Sequence, residues 1–195
     1  MIIEQIEFTG VKEVEGRLGK LKSKSPDVIA RAINRAANNA RKNMVKETSD
    51  RYFIKGADVR NTISIAKASK SRLKAAIISN GPGIALSKFK VNPGTPVRYR
   101  GKSRSPKVYK AGVEKSGGVK PLDGDPKAFI AIMRSGHKGV FTRTTEHSLP
   151  IKQLYGPSVP QMLKNEKIMQ AVNEDVNRTL QKRIDAEINN VLRKG

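Results

Sequence analysis

Apolar residues recur at steps of three and four over two long stretches of the chain. In the first stretch, Pro26 suits an opening helical turn, Asp27 favours its positive end, and alanines and aliphatic residues then fall on one face. In the second stretch the same spacing runs from Met169 to Val191. This pattern predicts a long helix over residues 26–49 and a C-terminal helix over residues 161–193.

Shorter apolar runs, bounded by glycine, proline and polar residues, are typical of β-strands. They occur at residues 2–8, 63–65, 73–79, 128–133, 140–143 and 149–154. Together they predict a mostly antiparallel sheet of about five or six strands. With the long helix packed on this sheet the sequence predicts an α+β fold, and the length suits a single domain over residues 1–195.

One segment between the strands differs from the rest in composition. Residues 88–120 contain ten lysines and arginines but only one acidic residue, Glu114. Their glycine, proline and serine content predicts a long loop or arm, with a strand at about residues 108–113. A basic arm of this kind is usually functional or disordered.

The net charge of the chain says more about its partners than any single motif does. The chain has 39 lysines and arginines against 17 aspartates and glutamates, a formal net charge of +22. Such a charge attracts polyanions and destabilises a compact monomer by self-repulsion. Apolar residues make up 37% of the chain and aromatic residues 5%, so the core is modest and we expect partners to support it.

Basic residues on an extended backbone can follow a line of phosphates, so we expect the arm to contact nucleic acid. The candidate residues are Lys88, Lys90, Arg98, Arg100, Lys102, Arg104, Lys107 and Lys110. Tyr99 and Tyr109 within the arm would either stack on bases or pack. The alternative is an arm that threads between neighbouring subunits and lies against acidic surfaces.

No group of residues has the spacing of a catalytic or metal site. The chain has no cysteine, and its two histidines, His137 and His147, belong to no zinc motif. Asp123 and Asp125 flank a glycine in a turn, which already explains them. We therefore expect no enzyme, no metal and no cofactor. We also expect no membrane span, because no stretch has the roughly 20 apolar residues that a span needs.

Two stretches of the sequence resemble the minor tail protein Z family of bacteriophages and prophages. The first runs from Ala32-Ile33-Asn34-Arg35-Ala36-Ala37 to Asp58-Val59-Arg60. The second covers residues 128–162 and includes Leu149-Pro150-Ile151-Lys152-Gln153-Leu154-Tyr155-Gly156-Pro157-Ser158. The second stretch is the more specific, because generic strand and turn chemistry does not produce it.

The resemblance implies a structural protein of the phage tail, assembled in the cytoplasm of the bacterial host. It would complete the head-proximal end of the tail and help the tail join the head, with contact to the DNA end left open. It also implies a ring of subunits, six in number, and contacts with other tail and neck or connector proteins. The assembly interface would include Leu154, Tyr155, Gly156 and Pro157. The alternative function is a general nucleic-acid-binding protein of ribosomal or chromatin type.

Overall fold

The computed structural model describes residues 1–97 and 108–194. The helices are α1 (Val11–Leu18), α2 (Ser25–Arg51), α3 (Gly56–Arg60), α4 (Val159–Leu163) and α5 (Glu166–Lys194). The strands are β1 (Ile2–Glu7), β2 (Ile63–Ala66), β3 (Lys74–Ser79), β4 (Gly83–Ala85), β5 (Lys90–Asn92), β6 (Lys110–Gly112), β7 (Lys120–Pro121), β8 (Phe129–Ile132), β9 (Lys138–Arg143), β10 (Ile151–Gln153) and β11 (Tyr155–Ser158).

The strands pair antiparallel throughout, which confirms the predicted α+β class. They do not form one sheet of five or six strands. Instead, the described residues form four small sheets, in the orders β1-β3-β2, β10-β9-β8, β11-β4 and β5-β6-β7. The division follows from the lengths of the strands, since none exceeds six residues and the polar and proline-containing segments between them begin new pairings.

Helix α2 forms the centre of the molecule, with the β1-β3-β2 sheet against one side and α5 against another. Ala32, Ala36 and Ala40 are fully buried in α2, and Ala75 and Ile77 are fully buried in β3. The sheet and the helix are also joined by polar contacts. Asn34 Nδ2 donates to the Ala68 carbonyl at 3.0 Å, and the Ala68 amide donates to Asn34 Oδ1 at 2.8 Å. Because both contacts use one side chain, the turn after β2 is fixed to α2.

Helix α5 lies antiparallel to α2 and packs through a narrow apolar stripe. The stripe repeats every three or four residues and consists of Ile168, Val172, Val176, Leu180, Ile184, Ile188 and Val191. Arg31 Nε pairs with Glu187 Oε2 at 2.7 Å near the start of α2, and Arg17 Nη1 pairs with Asp185 Oδ1 at 2.7 Å. Both ion pairs are partly exposed, so burial of the stripe stabilises the contact more than they do.

The predicted long helix is confirmed with small extensions at both ends, and the C-terminal helix is divided. Ser158 caps α4 through a reciprocal capping box with Gln161, which begins the helix earlier than predicted. A break at residues 164–165 then separates α4 from α5. The stripe from Met169 to Val191 gives no sign of this break, because the break precedes it.

The basic segment contributes to the fold more than an arm would. Within its described parts, β5, β6 and β7 form a sheet, and Phe89, Tyr109 and Ala111 are buried. Tyr109 therefore packs in the core, which was one of its two predicted roles, the other being stacking on bases. Among residues 1–97 and 108–194, no helix combines the length and the apolar character needed to cross a membrane.

Replacing Ile184 by aspartate tests the α5 stripe. Ile184 is only 1% exposed, and a carboxyl group buried there without a partner should lower the free energy of unfolding by about 3 kcal/mol or more. Urea unfolding followed by circular dichroism measures the change. The matched control is Gln181→Asp on the exposed side of α5, which should cost less than about 1 kcal/mol. Equal unfolding midpoints for the two variants would contradict burial of the stripe.

Candidate assembly surface

The β10-β9-β8 sheet has one face toward the core and one face outward. Ile130 lies opposite Val140 in the register, and both are buried in the core. Phe129 and Gln153 both lie opposite Phe141. Because side chains alternate between the faces of a strand and directly paired residues share a face, Phe129, Phe141 and Gln153 lie on the face opposite Ile130 and Val140, which we call the outer face. Phe129 is half-buried there and also packs against the core.

Five side chains of the outer face form a continuous row with Tyr155 of β11, which belongs to the β11-β4 sheet. The guanidinium of Arg143 lies 4.9 Å from the centre of the Phe129 ring, and the Phe129 and Phe141 ring centres are 6.2 Å apart. The His137 ring meets Phe141 edge-on at 6.5 Å. His137 Nε2 donates to Gln153 Oε1 at 3.1 Å, and Tyr155 Oη donates to the same oxygen at 3.4 Å. We call this set the aromatic row: Phe129, His137, Phe141, Arg143, Gln153 and Tyr155.

A glycine makes the central part of the aromatic row possible. The Phe141 ring lies over Gly139, where an added Cβ would come within 2.6 Å of two ring carbons. Phe141 is consequently buried, with 5% of its surface exposed, although it lies outside the main core. The ring is thus held in place by its own strand and neighbours.

The predicted interface residues divide into three half-buried residues and one exposed residue. Leu154 donates its amide to the Val140 carbonyl at 2.8 Å and accepts from the Leu86 amide at 3.0 Å, while its side chain packs against the core. Gly156 lies so close to Phe89 that a Cβ would come within 2.7 Å of the ring. Pro157 is half-buried. Tyr155 is 59% exposed and ends the aromatic row.

The basic segment contains three predicted nucleic-acid contacts within the described residues. Lys88 Nζ pairs with Asp58 Oδ1 at 2.5 Å, and Lys90 Nζ lies 5.0 Å from the centre of the Phe53 ring. Lys110 is exposed. The structure thus gives Lys88 and Lys90 partners within the chain. Arg98, Tyr99, Arg100, Lys102, Arg104 and Lys107 lie outside the described residues.

Of the aromatic row, His137, Arg143 and Tyr155 are exposed and available for contact, Phe129 and Gln153 are half-buried, and Phe141 is buried. Within residues 1–97 and 108–194, no three histidines, aspartates or glutamates lie together as a metal site would require. Sequence reasoning included Tyr155 among the interface residues but not Phe129, Phe141, Arg143 or Gln153. The available signal was the period of two in residues 137–143, which places alternate residues on one face.

The comparison with protein families defines the class of this chain: it is a structural protein of phage tails. The family described as "Prophage minor tail protein Z (GPZ)" matches residues 8–194. The chain therefore belongs to the prophage minor tail protein Z family, as its sequence resemblance predicted. It matches no curated protein and no solved structure.

Replacing Gly156 by alanine tests the close packing that positions Tyr155. The new Cβ would press on the Phe89 ring, which is 6% exposed and has little room to move, so we expect a loss of about 1 to 3 kcal/mol in the free energy of unfolding. Chemical denaturation measures it. In the control, Gly16→Ala in α1, the added methyl meets no atom within 4 Å, and the higher helix propensity of alanine should leave stability unchanged or slightly raised. A Gly156→Ala protein as stable as the wild type would show that the contact with Phe89 is looser than described.

Proposed function

We propose that this tail protein completes the head-proximal end of the phage tail and helps the tail join the head. In this role it forms a closed ring, of six subunits by the sequence resemblance, and contacts neighbouring tail and neck or connector proteins. Assembly takes place in the cytoplasm of the bacterial host. Membership of the minor tail protein Z family supports the structural role, and the finer points are our proposal.

The observation that carries the assembly role is the aromatic row. Tyrosine, phenylalanine and arginine are enriched at protein interfaces because they bury large areas at low entropic cost and also form polar contacts. Here they lie side by side in one row: Phe141 is buried, Phe129 is half-buried, Arg143 is exposed, and Tyr155 is 59% exposed at one end. Contacts within the row hold Phe141 and His137 before any partner arrives, which lowers the entropic cost of binding.

Ring closure fits a surface of this type. A ring needs a heterologous interface, in which one face of a subunit contacts a different face of the next. The aromatic row supplies one such face. With 37% apolar residues the chain forms a modest core, so the monomer has modest stability, to which burial between subunits would add.

The DNA end is a further proposed partner, reached through the basic segment. The net charge of +22 supports contact with a polyanion. Within the described part of this segment, Lys110 is exposed and makes no ion pair with a described residue, so it is free to meet a phosphate. Binding of the segment to acidic neighbours in the tail is the other role proposed for it.

Truncating Tyr155 to alanine tests the assembly role. The tyrosine is mostly exposed, and among the described residues its hydroxyl makes one long hydrogen bond, at 3.4 Å, so folding should be retained. If Tyr155 is an interface anchor, its loss should weaken assembly by about 1 to 2 kcal/mol, roughly a tenfold or larger change in affinity. Sedimentation of the purified protein with tail-tube ends, together with counting of head-joined tails, measures the effect.

The control for Tyr155→Ala is Leu192→Ala. Leu192 is 47% exposed on α5, so its truncation also removes apolar surface but leaves the aromatic row intact. We expect wild-type assembly for Leu192→Ala and reduced assembly for Tyr155→Ala. Normal head joining and normal sedimentation for both variants would contradict a role for the aromatic row in assembly.

A further inference from the structure

A polar groove runs between α2 and α5. The groove has a volume of about 390 Å³, and its nine lining side chains include no aliphatic or aromatic residue. Five of them are cations, two from α2 and three from α5: Arg35, Lys42, Arg178, Lys182 and Arg183. We call this groove, with its nine lining residues, the helix groove.

One carboxylate lies in the helix groove, and its hydrogen-bonding capacity is already used. Asp175 Oδ2 accepts from Asn39 Nδ2 at 2.6 Å and from Asn43 Nδ2 at 2.5 Å, while Oδ1 accepts from Arg178 Nη2 at 2.6 Å. The Asp175 side chain is only 15% exposed. Five cations therefore share one saturated carboxylate, which leaves an excess of four positive charges.

Nearby acidic residues do not offset this excess. Glu187 pairs with Arg31, and Glu174 accepts from Gln170 Nε2 at 3.1 Å. Within the described residues, Arg35, Lys42, Lys182 and Arg183 take part in no ion pair. Like charges held at this density repel one another unless an anion binds between them.

The lining identifies the chemistry of the anion. A groove that binds an acidic protein segment would normally offer an apolar or aromatic core within its polar rim. A groove for single-stranded nucleic acid would offer aromatic rings on which bases stack. The helix groove has neither, whereas polar and strongly positive surfaces are typical of contacts to the duplex backbone.

The spacing of the cations also suits a line of phosphates. Arg178 and Lys182 are one helical turn apart, about 6 Å along α5, and Arg35 and Lys42 are two turns apart, about 10 Å along α2. We propose that the helix groove binds the phosphate backbone of duplex DNA without reading its sequence. This inference rests on the proposed contact between the tail end and DNA, and it assigns that contact to residues outside the basic segment.

The test compares two variants that lose the same charge. Lys42, Lys182 and Arg183 are replaced by glutamine in the groove variant, and Lys127, Lys138 and Lys152 are replaced by glutamine in the control. All six side chains are exposed, and each triple replacement removes three positive charges. Circular dichroism and thermal unfolding confirm the fold, and the single variants Lys182→Gln and Lys152→Gln repeat the comparison with less risk to it.

Binding of purified protein to a mixed-sequence duplex is measured over a series of salt concentrations. Each phosphate contact contributes about 0.9 to the slope of log affinity against log salt, so the groove variant should lose roughly 2 to 3 units of slope and Lys182→Gln about 1. The control variants should keep the wild-type slope. Equal slopes for the groove and control variants, whether both lowered or both unchanged, would overturn the proposal.

A second measurement separates this inference from the proposed function. Head joining by tails that carry each variant is scored alongside DNA binding. A groove variant that loses head joining with an unchanged salt slope would show that the groove binds a protein, which overturns the DNA assignment. A reduced slope with normal head joining would support the groove as a DNA site while counting against DNA contact in tail completion.

Discussion

The packing of α2 on two sides is the constraint on which the rest of the structure depends. A helix that contacts a sheet and a second helix at once has little room for large side chains, because interaxial distance is set by the residues at the contact. Ala32, Ala36, Ala37 and Ala40 are accordingly fully buried in α2. On the facing side, α5 buries one apolar residue in each turn. Because small residues pack closely here, a chain with 37% apolar residues can still form a core.

The end of α2 also positions the basic segment. The Phe53 amide donates to the Val113 carbonyl at 2.8 Å, and the Lys115 amide donates to the Arg51 carbonyl at 2.9 Å. Lys90 then lies over the Phe53 ring. These contacts join the β5-β6-β7 sheet to the end of α2.

The sequence predicted what local spacing determines and missed what distant pairing determines. The helix over residues 26–49 and the stripe to Val191 were recognisable because helical periodicity repeats within a few residues. The division into four sheets was not, since β1 pairs with β3 and β11 with β4, segments far apart in the chain whose partner is chosen by tertiary contacts. The aromatic row was only partly foreseen: Tyr155 was named from the family resemblance, but its link to Phe141 passes through Gln153 on another strand. DNA contact by the arm stays a prediction.

The helix groove shows most clearly why spacing along one helix is insufficient. Taken separately, Arg35 and Lys42 look like the solvated face of α2, and Lys182 and Arg183 look like that of α5. Only the antiparallel packing brings both sets to one groove, and Asn39 and Asn43 then hold Asp175 between them. Since that carboxylate satisfies its own hydrogen bonds at the helix contact, it stabilises the packing and leaves most of the surrounding charge available. Thus the contact that closes the core also concentrates the charge at the surface.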